Sequence, residues 1–207
     1  MPPLEQVIPL FLVLVLSLSF HEAAHAWTAN RMGDPTAREL GRLTLNPLAH
    51  IDPIGTVLFP LIAMISGIPL IGWAKPVPVN PRYFPHPQQG FAVVALAGPV
   101  SNLILATAGA VVWHLLPHAG GLTAVPYLPE LVLQFVVINV LLAVFNMIPV
   151  PPLDGGNVLI GLLPVSAARM VGRLRPYGFV ILVVLLYTGV ITWITMPIRN
   201  LLVEWLL

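Results

Sequence analysis

The chain has 207 residues, of which 57% are hydrophobic and 8% charged, with a formal net charge of +1 and a mean hydropathy of +0.91. A water-soluble domain carries about 25% charged residues, so this chain cannot cover its surface with polar groups, and the lipid bilayer is its expected solvent. The near-neutral charge offers nothing to nucleic acid, and the absence of cysteine excludes disulfides and thiolate metal sites.

A spanning helix needs about 20 mainly apolar residues. The first candidate runs from about Val7 to Asn30, with Gly33 as its stop and Asp34-Pro35 preventing continuation. The leader MPPLEQ carries only Glu5 as a charge, which argues against a secretory signal with its basic start. A polar stretch, 34–53, follows. Within it GRLTLN alternates Arg42, Leu43, Thr44 and Leu45 with the period of a strand. The apolar run 54–72, IGTVLFPLIAMISGIPLIG, is interrupted by Pro60, Gly67 and Pro69, and WAKPVPVNP after it reads as extended chain because alternate prolines exclude helix. The pieces 41–46 and 73–79 are expected to form a small sheet near the membrane boundary, read first as an ordinary connector hairpin and second as an exposed edge that an unwound peptide joins as an added strand.

Residues 91–116 form the next helix, with Ala95, Gly98, Asn102 and Ala106 as a small-residue stripe for close packing. Residues 130–148 form another, ended by IPVPPLDGG. Arg169, Arg173 and Arg175 mark a basic connection, 177–198 is the last span, and the tail to Leu207 is amphipathic. The expected architecture is an all-α polytopic membrane protein. It has about four full transmembrane helices, a re-entrant or membrane-lying segment at 54–72 and a small β element. The chain 1–207 reads as one membrane-embedded domain, with a core over about 7–156 and a C-terminal helix over about 177–207.

Inside the first apolar run stands FHEAAH, residues 20–25. His21 and His25 are four apart, on one helix face and about 6 Å apart along the axis. Two imidazoles so placed can grip one zinc ion, with Glu22 beside them to take a proton from water. This is the H-E-x-x-H arrangement of zinc hydrolases, in which the metal lowers the pKa of bound water far below its bulk value, towards about 7. Ionisable groups in an apolar helix each cost at least a few kcal/mol, so the alternative is a helix that ends early and leaves its histidines at the interface.

Such sites need a third protein ligand. His86 lies in a loop, His114 and His118 flank Pro117 at the end of an apolar run, and His50 lies in the polar stretch. Asp154 differs, because prolines break the helix before it and Gly155-Gly156 permits close backbone approach. By itself LDGG reads more readily as a turn than as a ligand loop. Asn146, eight residues earlier, has an amide suited to an oxyanion or an unwound substrate backbone, or to helix packing; Asn102 carries the same two readings.

FHEAAH, GPVSN at 98–102 and NMIPVPPLDGG at 146–156 together resemble the site-2 protease family of intramembrane zinc metalloproteases. The family's second signature matches in Asn146, Pro149, Pro151, Leu153, Asp154 and Gly155, and NPLAHIDPIGT at 46–56 resembles a stretch of its compact prokaryotic members. The resemblance implies one zinc ion bound by His21, His25 and Asp154, with Glu22 as catalytic base. It also implies hydrolysis of peptide bonds in or near transmembrane segments of membrane-protein substrates in a prokaryotic plasma membrane. No PDZ-like domain is expected in this short chain. Two rival readings are a membrane metal-ion transporter and an inactive relative that binds membrane helices without cutting them.

If His25 and Asp154 share a metal, an even number of crossings separates them, yet three apolar runs intervene. The broken run 54–72 is therefore expected not to cross. Arg31, Arg38, Arg42, Lys75, Arg82, Arg169, Arg173 and Arg175 then fall on one face, whereas 117–129 holds no Lys or Arg. By the positive-inside rule that face is cytoplasmic, with the metal ~9 Å deep from it at 1.5 Å per residue.

Overall fold

The computed structural model of the chain describes residues 4–66, 72–118 and 127–207. Helix α1 (Leu4–Arg31) ends as expected at Gly33, whose φ is +102°. A single turn, α2 (Thr36–Glu39), opens the polar stretch. Asp52 then caps a π-helical turn, Pro53–Leu58, by accepting from the amides of Ile54 and Gly55 at 3.0 and 2.7 Å. That turn leads into α3 (Phe59–Ser66).

Helix α3 has 8 residues, ~12 Å at 1.5 Å per residue, far short of the ~30 Å hydrocarbon core. The chain then returns to where it left. Trp73 N donates to Gly55 O at 3.0 Å, and Thr56 Oγ1 donates to Trp73 O at 2.7 Å. Both ends of the apolar run 54–72 thus lie together, as a segment that does not cross requires. Gly67 and Pro69, expected to interrupt it, lie outside the described residues, as does most of 117–129.

The expected sheet is absent. Among the described residues there is no strand, and neither 41–46 nor 73–79 enters a ladder. Pro76 and Pro78 remove alternate donors from the second piece. Other amides of the piece are spent elsewhere: Trp73 N on Gly55 O at 3.0 Å, Lys75 N on His50 O at 2.9 Å and Val77 N on Glu22 Oε2 at 2.9 Å. Residues 73–80 form a lone extended strap.

Helix α4 (Pro87–Leu115) starts with proline at its first position, where the missing N–H costs nothing. Helix α5 (Leu128–Asn146) follows, then α6 (Asp154–Leu162) and α7 (Val165–Gly172). The sequence expectation of one last span over 177–198 is corrected. Helix α8 (Gly178–Tyr187) stops at Gly189, whose φ of +77° turns the chain before α9 (Val190–Leu206). The C-terminal helix expected over about 177–207 is therefore two helices. Among the described residues, four helical stretches are long and apolar enough to cross a membrane: Val7–Arg31, Pro87–His118, Leu128–Asn146 and Val165–Tyr187.

The small-residue stripe of α4 is buried as expected, with Ala95, Gly98, Asn102 and Ala106 all inside. It lets α1 and α5 approach closely. Ala106 and Ala110 meet Val136 and Val140 of α5, and Leu202, Val203 and Leu206 of α9 pack over them. Outward, Leu12, Leu16, Ile104, Val111 and Leu201 are exposed, the apolar exterior that a bilayer demands. Helix α6 lies along the start of α4, where Gln88 Nε2 donates to Ile160 O and Leu163 O at 2.7 Å each. This contact carries the start of α6 against α1.

Candidate metal centre

His21 and His25 project from one face of α1, as helical spacing dictates, and their rings meet edge to face with centroids 4.7 Å apart. Asp154, the first residue of α6, reaches them from 133 positions away. Its Oδ2 lies 3.0 Å from His21 Nε2 and 3.4 Å from His25 Nε2. For zinc with bonds of ~2.0–2.1 Å, tetrahedral ligand atoms stand about 3.3 Å apart, so these three donor atoms fit that ion. Among the described residues these are the one group of three such side chains positioned for a metal. His50 is elsewhere, with Nε2 donating to Thr44 O at 2.9 Å.

The second nitrogens of the two imidazoles are also assigned. His25 Nδ1 donates to Val94 O at 2.7 Å, and a carbonyl can only accept. His21 Nδ1 lies 2.6 Å from Asn102 Oδ1. The Asn102 amide donates to Asn139 Oδ1 at 2.9 Å and Ser17 O at 3.3 Å, which turns its oxygen toward His21. Asn139 Nδ2 in turn donates to Ser17 Oγ and Phe135 O, each at 2.9 Å. Both protons thus sit on Nδ1, and both Nε2 lone pairs face Asp154 and the common centre. This is the outer shell that metal-binding histidines require.

Backbone supplies room. A Cβ built on Gly98 would lie 2.5 Å from Nε2 of both His21 and His25, so only glycine lets α4 pass there. Gly155 and Gly156 pack against the backbone of 147–151, the close approach expected of LDGG. Glu22 is half-buried, and its Oε2 accepts the Val77 amide. Asn146 ends α5 with its Nδ2 bonded to Leu142 O at 3.0 Å. Glu22, Asn146 and the three donors line one cavity of about 570 Å³, walled also by Trp73, Ala74, Pro76, Val77, Phe91, Phe145 and Phe179.

The sequence pointed to His21, Glu22, His25, Asn146 and Asp154, and all five share this cavity. It left Asn102 open, and it read Gly98 as packing only. Val77, Val94 and Asn139 were missed. Asn139 carried a usable signal, a polar amide in the middle of the apolar run 130–148. A backbone amide or carbonyl carries none.

A polytopic helical membrane protein with a His, His, carboxylate donor set beside a glutamate belongs to the class of membrane metallohydrolases. The model of Peptidase family M50 matches residues 121–188. YwhC of Bacillus subtilis, named as a candidate zinc metalloprotease, is 38% identical over 202 residues, 96% of this chain and 89% of the relative. Rip2 of Mycolicibacterium smegmatis, named likewise, is 33% identical over 90% of this chain and 70% of its own length. Rip2 of Mycobacterium tuberculosis is 31% identical over 87% and 70%. No solved structure matches. The chain belongs to peptidase family M50, the site-2 protease family that its motifs resemble. It is a zinc metalloprotease and an integral, multi-pass membrane protein.

Proposed function

We propose that the chain hydrolyses peptide bonds in or near the transmembrane segments of membrane-protein substrates, with His21, His25 and Asp154 holding one zinc ion. The observation that carries this is the convergence of these three donors with Glu22 in one cavity, among helices whose outer faces are apolar. When bound, zinc supplies Lewis acidity that polarises a carbonyl and acidifies water.

The chain's own residues do the rest. Glu22 takes a proton from the attacking water and delivers it to the departing amine nitrogen. The Asn146 amide, at the cavity wall, donates to the oxyanion or to the unwound substrate backbone. Asn102 and Val94 O keep the Nδ1 protons in place and the imidazoles aimed. Phe91, Phe145, Phe179 and Trp73 keep the reacting bond in an apolar enclosure. The basic residues Arg31, Arg82 and Arg175 support an orientation with that end of the bundle, and the site near it, toward the cytoplasmic face of a prokaryotic plasma membrane.

The test is cleavage of a tethered transmembrane peptide by purified protein, with zinc measured on the same sample. Glu22→Gln keeps the shape without a basic oxygen pair, so zinc stays and cleavage is lost. A tenth or more of wild-type turnover in that variant removes Glu22 as the base. Zinc binding without any peptide cleavage by the wild-type chain points instead to metal handling or an inactive relative.

A further inference from the structure

Arg42 is buried, 8% exposed, and no carboxylate pairs with it among the described residues, where the ion pairs are those of His21 and His25 with Asp154. A buried cation without an anion is costly, so what its guanidinium does is informative. Nη2 donates to Lys75 O at 2.6 Å, and lies 3.5 Å from His50 Nδ1. That nitrogen is the acceptor of the His50 ring, because Nε2 already donates to Thr44 O. His50 O in turn accepts Lys75 N at 2.9 Å. Residue 75 is therefore gripped at both its backbone groups, by the Arg42 side chain and by the backbone carbonyl of His50.

The same grip recurs along the strap. Trp73 is held at both backbone groups by Gly55 O and Thr56 Oγ1. Asn80 N donates to Oδ2 of the fully buried Asp34 at 2.6 Å. Between these anchors lies Val77, whose amide donates to Glu22 Oε2 across 55 positions of sequence. Pro76 and Pro78 flank it and carry no N–H, so Val77 offers the donor at that point of the strap. Its neighbours Ala74, Pro76 and Val79 line the same cavity as His21, Glu22 and Asp154.

We propose that Arg42 and His50 are positioning residues for peptide hydrolysis: they fix the depth of the 73–80 strap so that the Val77 amide holds the Glu22 carboxylate in its working orientation. One oxygen is tied to the strap, and the carboxylate keeps a second for the proton. The inference rests on Glu22 acting as the base. It accounts for a buried arginine that has no ion pair and for a buried histidine that is not a metal ligand.

The experiment uses the full-length chain in detergent or bilayer, with a transmembrane peptide as substrate and turnover expressed per bound zinc. Val77→Pro removes the N–H and closes the side chain into a ring of similar size, at a position already confined to extended backbone by Pro78; Val77→Ala, which trims the side chain but keeps the N–H, is the control. Arg42→Met removes the guanidinium but keeps a long stem, and Arg42→Lys restores one donor to Lys75 O. Val77→Pro and Arg42→Met each lower turnover per zinc about 10- to 100-fold, the range for a misplaced catalytic group, while zinc content holds. Arg42→Lys recovers most of the loss. Because Arg42 acts through the Val77 amide, Arg42→Met has little further effect on the Val77→Pro background, where independent effects would multiply. Wild-type turnover per zinc in Val77→Pro overturns the proposal. So does activity in Arg42→Met that falls only in step with zinc or folded protein, or multiplicative loss in the double variant. Glu22→Gln run alongside separates the two levels: if it stays active, the base assignment itself has failed.

Discussion

His21 Nδ1 and Asn102 Oδ1 lie 2.6 Å apart, in the fully or nearly fully buried centre where α1, α4 and α5 meet. The amide is itself locked by Asn139 and Ser17. In an apolar interior each of these groups left alone would cost more than a kcal/mol. Joined, they hold one imidazole in one tautomer. Asn102→Leu removes that acceptor, and zinc affinity falls about 10- to 100-fold, as loss of an outer-shell partner does. Competition with a chromophoric chelator measures it, and excess zinc restores turnover. Asn139→Ala gives a smaller shift in the same direction, because it acts through Asn102.

Gly98→Ala is a steric test of the same centre. The added methyl would sit 2.5 Å from both Nε2 atoms, closer than packed atoms come. The imidazoles must rotate or α4 must move away. Zinc content falls sharply, whereas Gly172→Ala, where nothing lies within 4 Å, leaves zinc and turnover unchanged. Full zinc occupancy in Gly98→Ala would place the ion elsewhere.

Asp154→Ala lowers zinc occupancy and turnover together, and Asp154→Asn retains part of the binding. Asn146→Ala behaves differently. Its amide is bonded to Leu142 O and not to the three donors, whose bonds run to one another, Asn102 and Val94, so zinc content holds while turnover falls ~10²-fold or more. Loss of zinc or of folded protein in Asn146→Ala would give that residue a structural role.

Removing the metal also reports on stability. Zinc bound only to the folded chain adds about 2.7 kcal/mol at a free concentration 100 times its Kd. Chelation therefore lowers the thermal midpoint of wild-type protein, and zinc reverses the change. In His21→Ala and His25→Ala the midpoint no longer responds to zinc.

Single cysteines at exposed positions test the topology. Arg38 and Arg82 flank the segment whose ends meet through Trp73 and Gly55, and His118 lies beyond the far end of α4. An impermeant thiol reagent added from the cytoplasmic side labels Arg38→Cys and Arg82→Cys, and His118→Cys is labelled only from outside. Labelling of Arg38→Cys and Arg82→Cys from opposite sides would mean that 54–72 crosses, and the shared site of His25 and Asp154 would lose its topological basis.

What the sequence determined by itself is local. Helices α1, α4 and α5 follow from unbroken apolar runs, and their ends fall within about four residues of expectation because glycine and proline act on their own neighbours. His21, Glu22 and His25 were legible because four residues make one helical turn, so the pair needs no partner to share a face. Asp154 and Asn146 were legible through motif likeness, and the structure adds the contact that spans 133 positions. Everything that depends on which backbone passes which side chain waited for the fold. Gly98 at the imidazoles, Val94 O on His25, Val77 N on Glu22, and Arg42 on Lys75 O join elements remote in sequence through groups that every residue carries. The small sheet failed for the same reason: alternation in 41–46 and 73–79 reports local extension, but a ladder needs donors, and prolines and side-chain partners had already taken them.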